Sequence, residues 1–456
     1  MRDEIDAIEA RGASLIIIGN GTPEFARAFR EDLDLTGTIL VDPELLSYRA
    51  AGMRRGRAEI LSPRLWTNAA RALAAGYRQN SVEGDPWQLG GTFVIRPGGD
   101  LLYQHRSREA GDHADPAEIL ASLDCPQPVE DLNLPEPPAA QRFAGLALGA
   151  AVDPTIVFSF DRTGFLLRSL AFSPGDLDVD LGGRHCVITG ANSGIGLETA
   201  MGLADLGARV TLLCRNPERA AVAKAKIEES TGSKQIETVQ VDMSDLESVE
   251  RAAEQLEAKP IDILIHNAGV LSDRFERTRQ DLELAFATHI AGPHLLTRRL
   301  EEALGKSGDG RLLWVSSGGM YSTRLDVDRL LAPTAPYDGV MAYAQTKRAQ
   351  VVLSELWAER LGKRATVHAM HPGWADTPAV RSSLPLFHRI MGPLLRTPTE
   401  GADTLLWLAA SEVARKSTGK FFLDRIARRT HLLPFTTETE QERRRLWDAC
   451  ERIVPD

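Results

Sequence analysis

From Arg184 onward, short apolar runs alternate with longer helical ones, and no other feature constrains the fold as much. The runs HCVIT, RVTLLC, ETVQVDM, IDILIHNAG, RLLWVSS, ATVHAMHPG and GKFFLD read as strands. Helical stretches such as DLESVERAAEQLE and MAYAQTKRAQVVLSELWAERL separate most of them. Strands linked through helices pair in parallel, so the expected class is α/β: a doubly wound parallel sheet with helices on both faces. Ligands of such sheets bind at the carboxyl ends of the strands.

The first strand ends at Thr189 and breaks into Gly190, Gly194 and Gly196 before a helical run. A helix opening there exposes free backbone N–H groups that favour a phosphate. Glycines allow the tight turn and a close approach of backbone to ligand. A glycine triplet alone serves an ordinary turn equally well. The next strand stops at Arg215, where an acid would accept a hydrogen bond from a ribose 2′-hydroxyl and an arginine suits a 2′-phosphate. A merely solvated arginine is the alternative.

At 456 residues the chain is expected to hold two or three domains. A net charge of -10 with no basic tract argues against a nucleic-acid partner. Cys125, Cys186, Cys214 and Cys450 are widely spaced, so neither a metal site nor a paired-thiol motif is expected, and the setting reads as reduced and cytoplasmic. The stretch FAGLALGAAVDPTIVFSF is apolar, but Asp153 and Pro154 interrupt it, and neither half approaches the roughly 20 residues of a membrane span. It reads as a linker that docks on protein, with contact to a membrane surface as the lesser reading.

Prolines mark residues 124–141, and the whole linker is expected over 124–157, between a first domain at 1–123 and a second at 158–456. In the first domain ASLIIIGNG, TGTILVDP, GTFVIRPGG and DLLYQHRS read as strands, the last two as a hairpin. PEFARAFREDL, PELLSYRAAGM and DPAEILASL read as helices. The segments IIIGNGTPEFARAFREDL, LVDPELLSYRAAGM and GGTFVIRPGGDLLYQHRS resemble peroxiredoxin-like proteins of the alkyl-hydroperoxide-reductase/thiol-specific-antioxidant group. The resemblance implies a partial thioredoxin-like domain, poorly stable alone, that begins inside the helix after the reactive-thiol turn. No cysteine precedes Cys125, so no thiolate is available for peroxidase chemistry. The domain is then a degenerate module, or the start codon is assigned too late.

In the second domain the turn has the spacing TGxxxGxG, followed by HNAG at 266–269 and by Tyr343-x-x-x-Lys347. Together these resemble the short-chain dehydrogenase/reductase family over residues 180 to 425, in its retinol-dehydrogenase-like branch; VSSGGM, MHPGWADTPAV and GADTLLWLA extend the likeness. The resemblance implies a Rossmann-type sheet and a nicotinamide cofactor, and Arg215 points to NADP (NADPH). Gly190, Ser193, Gly194, Ile195 and Gly196 would then cradle the pyrophosphate. Asp242 and Met243 would flank the adenine, though Asp242 could simply cap the next helix. Asn267, Ala268 and Gly269 would lie along a ribose. Pro372, Gly373 and Thr377 would line the nicotinamide side, with Tyr343 and Lys347 also touching cofactor.

Hydride transfer to a carbonyl leaves an alkoxide that needs a proton donor. Tyr343 is the candidate; a free tyrosine titrates near ~10, and Lys347, four residues on along a helix, supplies a cation that lowers it. Ser317 would hydrogen-bond the substrate oxygen. His289 stands where the family usually has an asparagine that joins the lysine to solvent through a water. A relay through His289 would give turnover an acid limb as the imidazole protonates near its usual ~6.5; a packed helix residue is the alternative. The apolar segment 379–398 would form a substrate loop or simply core. The leading expectation is an NADPH-dependent enzyme interconverting a carbonyl and an alcohol on a lipophilic small molecule. The alternative is an NADP(H)-binding regulatory or scaffold protein. Self-association into a homo-oligomer is left open by the sequence.

Overall fold

The computed structural model describes residues 4–33, 37–42, 47, 48, 51, 53, 90–96, 101–107, 113–124 and 139–454, apart from 307, 334, 335 and 433. It divides into two compact units, Met1–Pro135 and Glu136–Asp456.

In the first unit the described elements are α1 (Ile5–Glu9), β1 (Ile16–Gly19), α2 (Pro23–Leu33), β2 (Thr38–Val41), β3 (Gly91–Ile95), β4 (Leu101–Arg106) and α3 (Pro116–Asp124). β1 and β2 pair in parallel, with Ile16 opposite Thr38, and β3 and β4 form the expected antiparallel hairpin. Both α2 and α3 open on proline, whose missing N–H costs nothing in a first turn. The helix expected over PELLSYRAAGM lies mostly outside the described residues, as does Cys125. Among the described residues of this unit only Ile8, Leu102 and Ile119 are buried hydrophobics, whereas Ile16, Ile18 and Leu40 face outward.

The second unit begins earlier than the sequence suggests. Residues 139–152, expected as linker, form helix α4 (Ala139–Val152), followed by a single turn at Val157–Phe160 and helix α5 (Arg162–Ser169). Gly145 and Gly149 are the reason α4 docks: a Cβ on Gly149 would lie 2.6 Å from Arg168 Cγ, and one on Gly145 2.9 Å from the Ala171 nitrogen. Asp153, which breaks the apolar run, ends α4 in ion pairs with Arg168 and Arg428. Phe143, 74% exposed, and Leu146 and Leu148 face outward on α4. Among the described residues no helix is long and apolar enough to cross a membrane.

The sheet holds β5 (His185–Thr189), β6 (Arg209–Cys214), β7 (Ile236–Gln240), β8 (Ile263–His266), β9 (Gly310–Val315), β10 (Ala365–Met370), β11 (Lys420–Leu423) and β12 (Ile426–Arg428). Their spatial order is β12-β11-β10-β9-β8-β5-β6-β7, parallel except for β12. β5, β8 and β9 are buried along their whole length, as strands covered on both faces must be. Helices α6 (Gly194–Asp205), α7 (Pro217–Thr231) and α11 (Pro398–Ala410) cover one face, with Ile188, Leu203, Leu212 and Leu405 at the centre. Helices α8 (Leu246–Leu256), α9 (Gly292–Gly305), α10 (Gly339–Leu361) and α12 (Glu440–Ile453) cover the other, around Leu264, Leu295, Trp314 and Trp357. Strand order reverses between β5 and β8, which opens a crevice at their carboxyl ends.

Candidate active site

The turn after β5 is fixed by backbone geometry and close packing together. Gly190 and Gly194 sit at φ +66° and +55°, where a side chain is strained. A Cβ on Gly190 would stand 2.9 Å from Ala268 Cα, and one on Gly196 2.4 Å from Asn267 Nδ2. Thr189 and Asn267 tie the turn to β8. The Thr189 hydroxyl oxygen accepts from the Asn267 and Ala268 N–H groups, both at 3.0 Å, and Asn267 Nδ2 donates to the Thr189 and Gly190 carbonyls. Ser193 is the N-cap of α6 in extended conformation, and its side chain takes no cap bond. Ile195 packs inward against the core, and Gly269 closes on the His289 ring.

The result is a cradle that any Cβ would fill, below a helix start, and it fits a dinucleotide phosphate. Arg215, at the end of β6, is 78% exposed and reaches only 3.9 Å from Asp242 Oδ2, so its guanidinium is open to a ligand. Asp242 is engaged locally: its Oδ1 accepts from the Ser244 N–H and hydroxyl in a short turn that precedes α8, whose N-cap is Asp245. The Met243 side chain is in the core, and its carbonyl packs so closely on Gly292 that a Cβ there would come within 2.1 Å.

Tyr343 and Lys347 stand one turn apart on α10, which Asp338 starts by accepting from the Met341 N–H at 3.0 Å. Ser317 is the N-cap of the short turn Gly318–Ser322 after β9, where its side chain accepts from the Gly319 N–H at 3.3 Å. Burial raises the Tyr343 pKa and the neighbouring Ser317 hydroxyl opposes that rise, so the phenol is protonated at neutral pH. Lys347 Nζ lies 5.4 Å from the Tyr343 ring centroid and donates to the Val315 carbonyl at 2.9 Å and Gln350 Oε1 at 3.0 Å. Burial pushes the Lys347 ammonium down to about 7.

His289 lies in a π-helical turn, Ala287–Ala291, of the kind found at functional sites. Its Nε2 accepts from the Val270 N–H at 2.9 Å, so the proton resides on Nδ1, which donates to the Thr346 hydroxyl at 2.8 Å. Thr346 in turn donates to the Tyr343 carbonyl. Burial first, and the Lys347 charge second, push the imidazole well below its ordinary range. His289 therefore stays neutral at working pH, and the expected titrating relay is corrected to a neutral brace between the β8 loop and α10. The pH profiles of turnover for wild type and His289→Asn should keep their limbs at the same pH. His289→Ala leaves the Val270 N–H unpaired and should cost about 1–3 kcal/mol in urea unfolding. An acid limb near ~6.5 that disappears in His289→Asn would contradict this.

The loop after β10 is held by the lead-in segment. Gly373, at φ +73°, is pressed by Arg396, whose Nε would lie 2.2 Å from a Cβ. Arg396 also donates to the Pro372, Asp161 and Ser159 carbonyls and pairs with Asp424, which pairs with Arg168 as well. Phe160 lies edge-to-face with His371, centroids 4.4 Å apart, and its carbonyl accepts from the Trp374 N–H. A Cβ on Gly318 would meet the Phe160 ring at 2.7 Å. Thr377 lies beside the phosphate turn: a Cβ on Gly194 would be 3.3 Å from its Cγ2. Residues 379–398 form the short helices Pro378–Ser383 and Pro385–Met391 and the turn Gly392–Leu394; Phe387 meets the Trp374 ring, and Leu386 is 69% exposed. Thr189, Thr346, Gln350, Phe160 and Arg396 are site residues that the sequence reading missed. The TG of the turn was a signal for Thr189; the other four carry none that a local pattern reveals.

The short chain dehydrogenase family model matches residues 184–385. Dehydrogenase/reductase SDR family member 12 of Bos taurus is 41% identical over 298 residues, which cover 65% of this chain and 94% of that protein. The chain belongs to the short-chain dehydrogenase/reductase family. Human retinol dehydrogenase 12 is 35% identical over 282 residues, covering 60% of this chain and 88% of that one. The crystal structure of an uncharacterized protein from Mycobacterium paratuberculosis superposes with a TM-score of 0.50 at 25% identity, covering 60% of this chain and 94% of the other. Residues 1–109 match the AhpC/TSA antioxidant enzyme family, so the first unit is thioredoxin-like. As a short-chain dehydrogenase/reductase, the second unit is an oxidoreductase of carbonyl and alcohol groups that uses a pyridine nucleotide.

Proposed function

We propose that this protein is an NADPH-dependent reductase of lipophilic aldehydes or ketones, reversible toward the alcohol, working in the cytoplasm. The observation that carries the reading is the placement of Ser317 just after β9 and of an exposed Arg215 just after β6, both at the carboxyl edge of the sheet, with Lys347 Nζ 5.4 Å from the Tyr343 ring. The nicotinamide, when bound, supplies the hydride to the carbonyl carbon or takes it back. Ser317 holds the substrate oxygen, and Tyr343 donates its hydroxyl proton to that oxygen as negative charge develops on it. Lys347 offsets the charge left on the phenolate. His289 and Thr346 hold α10 against the β8 loop, so the hydroxyl is presented in one orientation. Residues 1–123 contain no cysteine, and no thiol step is assigned to them.

The lipophilic preference rests on Leu386, Phe387 and Leu394 in the segment beside Trp374. Each buried methylene contributes about 0.8 kcal/mol, so kcat/KM for straight-chain aldehydes should rise roughly fourfold per carbon until the pocket is full. NADPH oxidation across an aldehyde and ketone series measures it. A flat or falling series overturns the lipophilic assignment, and no oxidation with any member overturns the reductase.

A further inference from the structure

Gln350 lies one helical turn beyond Lys347 on α10 and is fully buried. Its two ends are both committed. Oε1 accepts from Lys347 Nζ at 3.0 Å, and Nε2 donates to the His289 carbonyl at 3.1 Å. The second acceptor for the ammonium is the Val315 carbonyl, on the strand that leads to Ser317. A carboxamide solvates an ammonium with a fixed dipole, but it neither gains nor releases a proton in the working pH range.

Resting on the function proposed above, we propose that Gln350 is a positioning residue: it holds the Lys347 ammonium under Tyr343 by tying Nζ to the His289 carbonyl of the neighbouring turn. The groups that face Lys347 support this. From α10 they are Tyr343 and Gln350, from β9 the Val315 carbonyl, and from the π-helical turn the neutral His289. Burial, with no neighbouring carboxylate acting on it, governs the Lys347 charge. One dipole placed against Nζ therefore has large leverage.

The sign follows directly. The Lys347 cation is present below its pKa and lost above it, so Lys347 sets an alkaline limb. Gln350→Glu has nearly the same shape and puts a carboxylate beside Nζ, which should move that limb up by about one to three pH units. Gln350→Met keeps the bulk and removes the acceptor, so the limb should move down. Two readouts are needed on the full-length chain: the pH profile of kcat, and the pH dependence of NADP+ affinity followed by tryptophan fluorescence. Opposite shifts in the two variants, seen in both readouts, are the expected result. Limbs that stay at the wild-type pH in Gln350→Glu, whatever the loss of rate, overturn the proposal and leave the enzyme reading intact. A wild type that binds no nicotinamide nucleotide overturns both.

Discussion

Replacing Tyr343 by phenylalanine should lower kcat by about a thousandfold, within the 10²–10⁴ range that a positioned proton donor contributes. As the proposed proton donor, the Tyr343 hydroxyl is kept protonated by burial, and the Lys347 ammonium lies 5.4 Å from its ring. Phenylalanine keeps the ring that packs edge-to-face on His289, with centroids 5.5 Å apart, so α10 and the crevice should be unchanged. NADPH affinity by fluorescence titration should therefore stay within about twofold of wild type, because Tyr343 contributes little to the phosphate cradle. Turnover that survives the substitution would place the proton donor elsewhere. Loss of turnover together with loss of binding would make Tyr343 a structural residue.

Much of this site was legible because its pieces are local. The turn at Gly190, the strand end at Asn267 and the Tyr343–Lys347 pair each occupy a few consecutive residues, and a buried parallel strand such as β5 is a continuous apolar run. What escaped notice depends on contacts across long stretches of chain. Arg396 reaches Asp161 and Asp424, and Phe160 reaches His371 and Trp374, pairings that no periodicity encodes. The helix α4 was read as linker because its outward face is as apolar as its buried one, which leaves no amphipathic stripe. The short edge strand β12 was missed because its hairpin turn uses Asp424 and Arg425 at positive φ instead of glycine or asparagine. His289 shows a third kind of miss. Its charge state depends on burial and on the Val270 N–H, neither of which is written in the residues around it.

Arg215 bears on the claim that matters most, the identity of the cofactor. Its guanidinium is 78% exposed beyond the end of β6 and meets Asp242 Oδ2 only at 3.9 Å, a loose contact that a 2′-phosphate can outcompete. A charge-assisted contact of this type contributes roughly 1.5–3 kcal/mol, or about ten- to a hundredfold in affinity. Arg215→Asp removes that pairing and adds an acceptor for a free 2′-hydroxyl, so it should weaken NADPH and strengthen NADH. The decisive measurement is a direct titration of wild type and Arg215→Asp with each nucleotide, at one fixed salt concentration because the contact is screened. Wild type should bind NADPH about ten- to a hundredfold more tightly than NADH, and Arg215→Asp should erase or invert that preference. Equal affinities in the wild type, or a preference that Arg215→Asp leaves untouched, would contradict the account.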